Sequence, residues 1–173
     1  MKLAIISSAS EVFPELIHDK VDTIVRSLDL GTTIMTGGCL GIPGLVTQRA
    51  KQLGFKTVAY SPDTHDIAHN ARGDNLSTDY FDVVHYIPGF TARSLQMIYD
   101  ADVILLLNGR IGTVSEFTIA LEEGKYVGVI TETGGIADHL EYILNIAQKE
   151  FPNKVFFSQD VSQVIEWINK KTT

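Results

Sequence analysis

Seven short apolar runs punctuate this chain, at Leu3–Ile6, Thr32–Met35, Thr57–Tyr60, Val83–Ile87, Val103–Leu107, Val127–Ile130 and Val155–Phe157. Their length suits buried strands. Most of the segments between them place apolar residues at a period of about 3.6, as at Leu140, Ile143, Leu144 and Ala147, or Val161, Val164, Ile165 and Ile168. Alternating strands and helices predict an α/β fold, a Rossmann-like parallel sheet of about seven strands with helices on both faces. Gly31, Gly54 and Gly124 stand where helices should end, and Asp160 where the last should begin. Right-handed crossovers gather the strand-to-helix turns along one edge of such a sheet, where ligands of open α/β folds bind. No repeat, low-complexity tract or linker divides the chain, so residues 1–173 are expected to form one domain.

Two glycine turns fall on that edge. The first, Thr36-Gly37-Gly38-Cys39-Leu40-Gly41-Ile42-Pro43-Gly44, lies between the run ending at Met35 and a helical stretch predicted over Leu45–Leu53. The second, Asn108-Gly109-Arg110-Ile111-Gly112-Thr113-Val114-Ser115-Glu116, follows Val103–Leu107 directly. Glycine lets backbone approach a bound group closely, and free amides at a helix start favour an anion. The plainer alternative is that these glycines only permit tight turns. Neither turn continues into Gly-Lys-Ser/Thr, which argues against a Walker A loop. The first strand runs into Ser7-Ser8-Ala9-Ser10 without a glycine, which disfavours ordinary NAD or FAD binding.

Glu116 has two readings. Thr113-Val-Ser-Glu116 matches a capping box, in which Thr113 caps the helix and Glu116 reaches back. Alternatively its carboxylate, placed in a first helical turn and expected to stay ionised, serves a ligand as base or hydroxyl anchor. Arg93, at the start of a helix predicted over Ala92–Ala101, reaches the same edge and could grip a phosphate or pair with Glu116.

The stretch from Ser61 to Asp79 shows no apolar period and is rich in turn formers, so it reads as an irregular lid or binding loop. It carries His65 and His69, four apart, which suit a metal pair if helical; without a third ligand nearby, two solvated histidines are the preferred reading and no metal is expected. The sequence leaves open whether Tyr60, His65, Arg72 or Tyr99 line a pocket.

A formal charge of -7, with no basic run, argues against nucleic acid as a partner. One cysteine, Cys39, excludes an internal disulfide and any cysteine-based zinc site and agrees with a reducing compartment. The N-terminal apolar stretch is too short for a signal-peptide core, and no run approaches the roughly 18 residues of a membrane span. A cytoplasmic protein is expected.

The block from Arg93 to Glu116 resembles the SLOG superfamily, which includes the cytokinin-activating LOG phosphoribohydrolases, often mislabelled lysine decarboxylases, and molybdenum-cofactor carrier proteins. Its Pro-Gly-Gly-x-Gly-Thr-x-x-Glu motif is similar to residues 108–116, and its arginine nine residues before an Ala-Asp aspartate is similar to Arg93 before Ala101-Asp102. Thr36-Gly37-Gly38-Cys39-Leu40-Gly41 approximates the family's earlier glycine turn, and Thr133-Gly134-Gly135 resembles the carrier-like members. The resemblance implies catalytic roles for Arg93 and Glu116. It also implies a nucleotide phosphate held by Gly37, Gly38, Gly41, Gly109, Arg110, Ile111, Gly112 and Thr113. The implied reaction cleaves the N-glycosidic bond of a nucleoside 5′-monophosphate, with no metal or redox cofactor, in a homodimer or larger homo-oligomer. The implied alternative is a non-catalytic carrier of a phosphorylated cofactor. Two positions depart from the motif. Asn108 replaces proline, which is expected to loosen the turn; Arg110 replaces glycine, where its side chain either obstructs the ligand or clamps its phosphate.

Overall fold

The computed structural model describes residues 1–172. All seven apolar runs are strands: β1 (Lys2–Ile6), β2 (Thr33–Thr36), β3 (Lys56–Ser61), β4 (Val83–Tyr86), β5 (Val103–Leu107), β6 (Tyr126–Ile130) and β7 (Val155–Ser158). They form one parallel sheet in the order β4-β3-β2-β1-β5-β6-β7. The chain winds outward from β1 in one direction and, after β4, returns to β5 on the other side of β1. The β1/β5 boundary is therefore the switch point, where the loops leaving the two strands diverge and open a crevice.

Seven helices cover the sheet: α1 (Leu16–Arg26), α2 (Gly41–Gln52), α3 (Asp66–Ala71), α4 (Phe90–Asp100), α5 (Ile111–Glu122), α6 (Leu140–Ala147) and α7 (Val161–Lys171). One face packs Ile17, Val21 and Ile24 of α1, Val46 of α2 and Val164 and Ile168 of α7 on Leu3, Ile5, Val103 and Leu105. The other packs Met97 and Ile98 of α4, Phe117 and Leu121 of α5 and Leu140 of α6 on Ala4, Ile6, Ile104 and Leu106. β5, at the centre, is apolar and buried at every position because both of its faces are covered. No helix among the described residues is long and apolar enough to cross a membrane.

Helix ends follow the expected chemistry with one exception. Gly54 and Gly124 take positive φ immediately beyond α2 and α5, and the Asp160 carboxylate accepts from the Ser162 and Gln163 amides at the head of α7. Gly31 caps nothing, because α1 stops at Arg26 with Ser27 as its cap. α2 begins at Gly41, four residues before the predicted start, with Pro43 in its first turn where a missing amide proton costs nothing.

The stretch after β3 is less irregular than its composition predicts. It contains α3 and a 3-10 turn at Thr78–Tyr80. Its far end is fastened to the first glycine turn, with Leu40 N donating to Asp74 O at 2.9 Å and Leu76 N to Gly38 O at 3.0 Å. Six residues give α3 too little length for a visible period, and it is held by its caps and its buried histidine rather than by an apolar stripe.

Candidate functional site

The chain leaves β5 through two residues with positive φ, Asn108 at 53° and Gly109 at 93°. It then extends at Arg110, the cap residue, and enters α5. Thr113 is the third residue of the helix, and its Oγ1 accepts from the Arg110 amide at 3.3 Å. A Cβ on Gly109 would stand 2.5 Å from that same Oγ1, so only glycine admits the threonine there. This replaces the expected capping box: Thr113 lies inside the helix, and Glu116 lies in the second turn and bonds to another helix altogether. Among the described residues nothing accepts from the amides of Ile111 and Gly112, which are two of the orphan donors of the α5 N-terminus.

Asn108 tightens the turn where the motif comparison predicts loosening. Its amide donates to Thr133 Oγ1 at 2.7 Å, its Nδ2 to Thr133 O at 2.7 Å, and its carbonyl accepts from Ala137 N at 2.9 Å. Gly109 O accepts from Ile136 N at 3.0 Å. Thr133-Gly134-Gly135 is thus the clasp on the β5 turn, and Gly135 is required because a Cβ would collide with Gly109 O. Proline could supply neither the amide proton nor a positive φ at position 108.

Arg93 and Glu116 meet. Arg93 Nη1 lies 3.5 Å from Glu116 Oε1, and Ser94 Oγ donates to the same oxygen at 2.6 Å. Both α4 residues come from one turn of helix, whose register presents them side by side to α5. Gly37 makes room for this: a Cβ there would stand 2.5 Å from Arg93 Nη1. Burial raises the Glu116 pKa above the ordinary carboxyl value, while the Arg93 charge and the Ser94 hydrogen bond pull it down. The sequence-based expectation of a first-turn carboxylate under the helix dipole does not describe its position, since α5 starts at Ile111 and Glu116 falls in the second turn, where burial is the largest influence on it. Among the described residues, two buried polar atoms here have no hydrogen-bond partner, Arg93 Nε and Ser7 Oγ.

These groups line a cavity of about 340 Å³ above the β1/β5 switch point, walled by Ser7, Ser8 and Ala9 after β1, by the head of α4, and by α5 from Arg110 to Ile119. Of the residues singled out in the sequence, Arg93, Glu116, Arg110, Gly112 and Thr113 line it, and so does Cys39 of the first glycine turn. Gly37 lies in a small void beneath, with Cys39, whose thiol burial pushes up to about 11 and so keeps neutral. Ile111 is exposed outside the cavity, and Gly109 sits under Thr113. Gly38 and Gly41 are not brought to it. Gly38 packs toward His69 and Ala59, and Gly41 against the backbone of residues 8–10. Much of this first turn is bonded within the protein: the amides of Gly38, Leu40 and Ile42 donate to Thr36 Oγ1, Asp74 O and Ser8 O.

The two histidines serve the segment after β3 in different ways. His65 caps α3 by accepting from Ala68 N, whereas His69 is fully buried, with Nδ1 2.8 Å from Ser61 Oγ and Nε2 2.9 Å from Leu76 O. The reading of two solvated histidines therefore fails for His69. Among the described residues no three metal-ligating side chains cluster. Tyr60 donates to Asp100 and Tyr99 to Glu123, and neither lines the cavity; Arg72 does not line it either, but its guanidinium lies over the Phe90 ring, which does.

Sequence reasoning missed Ser94, Ser7 and Phe90. Ser94 was legible as the neighbour of Arg93 at a helix start, and Ser7 as the polar residue that follows a buried strand. For Phe90 the only signal was an aromatic residue beside Gly89.

Known proteins share this architecture. The molybdenum cofactor binding protein from Rippkaea orientalis superposes with a TM-score of 0.78 at 20% identity, over 99% of this chain and 97% of that one. DNA processing protein A from Helicobacter pylori, described for its single-stranded DNA binding mode, superposes with a TM-score of 0.67 at 19% identity, over 98% of this chain and 80% of that one. At such identities the likeness is one of fold. In sequence, an uncharacterized protein of Archaeoglobus fulgidus is 30% identical over 97 residues, 56% of this chain and 58% of its own length. The model of the SLOG cluster4 family matches residues 3–165. With nearly the whole chain matched and the Arg93–Glu116 pair in place over the switch point, this protein belongs to the SLOG cluster4 family.

Proposed function

We propose that this protein binds a nucleoside 5′-monophosphate in the cavity over the β1/β5 boundary and hydrolyses its N-glycosidic bond. The observation that carries the reading is the Arg93–Glu116 pair, with side chains 13% and 12% exposed, 3.5 Å apart and lining the same cavity as the head of α5. The phosphate belongs at that helix start, where the Ile111 and Gly112 amides, the helix dipole and the Arg110 side chain all favour an anion. The ribose then points toward Glu116. Ser94 and Arg93 hold Oε1, which leaves Oε2 to accept a ribose hydroxyl or to orient water. As the C1′–N bond breaks, its electron pair leaves with the base, and the carboxylate stabilises the cationic sugar until water adds its hydroxide to C1′ and a proton goes to the base. The reaction as written requires no metal or redox cofactor. We also propose a cytoplasmic homodimer or higher homo-oligomer, in line with the family resemblance. The acidic chain disfavours nucleic acid as partner.

One observation favours a second reading, a non-catalytic carrier of a phosphorylated cofactor. Burial biases the Glu116 carboxyl toward its neutral form, which accepts and donates hydrogen bonds well but stabilises a cation poorly. Incubation with AMP and chromatographic detection of adenine separates the two. Hydrolysis predicts adenine release that Glu116→Gln abolishes while AMP binding persists. AMP binding by the wild-type chain with no release overturns hydrolysis in favour of the carrier.

A further inference from the structure

Phe90 is a large aromatic residue left 58% exposed, yet it lines the cavity. Its position at the first residue of α4, directly after Gly89 with φ of 100°, turns it out of the core that Met97 and Ile98 of the same helix enter. The Arg72 guanidinium carbon lies 5.0 Å from the ring centroid. Arg72 itself is held flat by paired hydrogen bonds to Asp74, Nε to Oδ1 and Nη2 to Oδ2, both 3.1 Å, with Asp63 Oδ1 3.7 Å from Nη1. Arg72 is not among the residues that line the cavity, and the ring beside it keeps more than half of its surface exposed, which leaves it free to take a second partner.

We infer that Phe90, backed by Arg72, is the stacking platform for a planar heterocyclic base at the mouth of the cavity. This rests on the proposed phosphate site and names the other end of the ligand. A ring fixed from behind by a cation whose own charge is neutralised by two carboxylates loses little freedom when a second ring lies on its open face. Of the charged groups that line the cavity, Arg93 and Glu116 are engaged with each other and Arg110 stands at the head of α5; the cation seated on the ring is Arg72. Stacking accepts any base with a π-face, so the platform sets a class of ligand, heterocycle plus phosphorylated sugar.

Calorimetric titration with AMP and with ribose 5-phosphate tests the assignment, in the Glu116→Gln background where turnover is off, with the wild-type chain as reference for ribose 5-phosphate. AMP is expected to bind more tightly than ribose 5-phosphate. Adding Phe90→Ala should weaken AMP by about tenfold to a hundredfold and leave ribose 5-phosphate unchanged, while Phe90→Tyr retains AMP affinity. An AMP to ribose 5-phosphate ratio that Phe90→Ala does not alter overturns the platform and leaves the phosphate site standing. Failure of the wild-type chain to bind either ligand overturns both.

Discussion

Ser94 Oγ donates to Glu116 Oε1 at 2.6 Å, joining two helices through residues that are each less than a tenth exposed. A carboxyl group placed there works against the fold once it ionises, because burial outweighs the help of Arg93 and Ser94 and raises its pKa above the ordinary carboxyl value. The folded chain thus holds this proton more tightly than the unfolded chain does. The group's contribution to stability is complete below the unfolded value and is lost as pH rises through the folded one. Glu116→Gln cannot ionise and keeps an acceptor for Ser94. It is expected to be more stable than wild type near pH 7 by about 1 kcal/mol, with the difference closing toward about pH 4. Urea unfolding across that range checks it; a difference independent of pH contradicts the burial argument.

Gly37 separates binding from folding. Its Cβ would meet only the end of a flexible side chain, Arg93 Nη1 at 2.5 Å with Cζ and Nη2 at 2.9 Å. Gly37→Ala should therefore push the guanidinium away from Glu116 at little cost to the fold. The expected result is a melting temperature within about 2 °C of wild type and AMP affinity reduced about tenfold or more. A large fall in melting temperature would mean that the turn, not the arginine, needs the glycine.

Restoring the family's proline should damage this chain. Asn108→Pro removes the amide donated to Thr133 Oγ1 and demands a negative φ where the backbone takes 53°. The loss should be about 3 kcal/mol or more, measured by denaturant unfolding, whereas Asn108→Gly, which tolerates the φ, should lose less. Equal losses in the two variants would show that the side-chain bond to Thr133 dominates.

Much of the fold was legible because a doubly wound sheet writes its strands as uninterrupted apolar runs: Val103–Leu107 is buried at every position and reads so. The Asp160 cap and Gly54 and Gly124 were equally plain, since each satisfies a local backbone need. What could not be read is tertiary. Thr113-Val-Ser-Glu116 fits a capping box on spacing, and only the hydrogen bonds that Thr133 and Ala137 make to Asn108 set the turn so that the helix starts at Ile111 and Glu116 rotates onto Ser94. Likewise nothing local distinguishes His65, a cap, from His69, whose burial depends on Ser61 and on Leu76, eight residues before it and seven after.

The stitching of residues 74–76 onto the Gly38 turn has a kinetic consequence. A stretch sewn down there works as masonry and not as a door, since lifting it would tear out the Leu40 and Leu76 backbone bonds and unseat His69. At the cavity the exposed side chains are Phe90, which Arg72 backs, and Arg110, which can swing in picoseconds to nanoseconds. For the proposed ligand, entry past Arg110 would need no backbone opening, and dwell time would follow from the grip of its contacts.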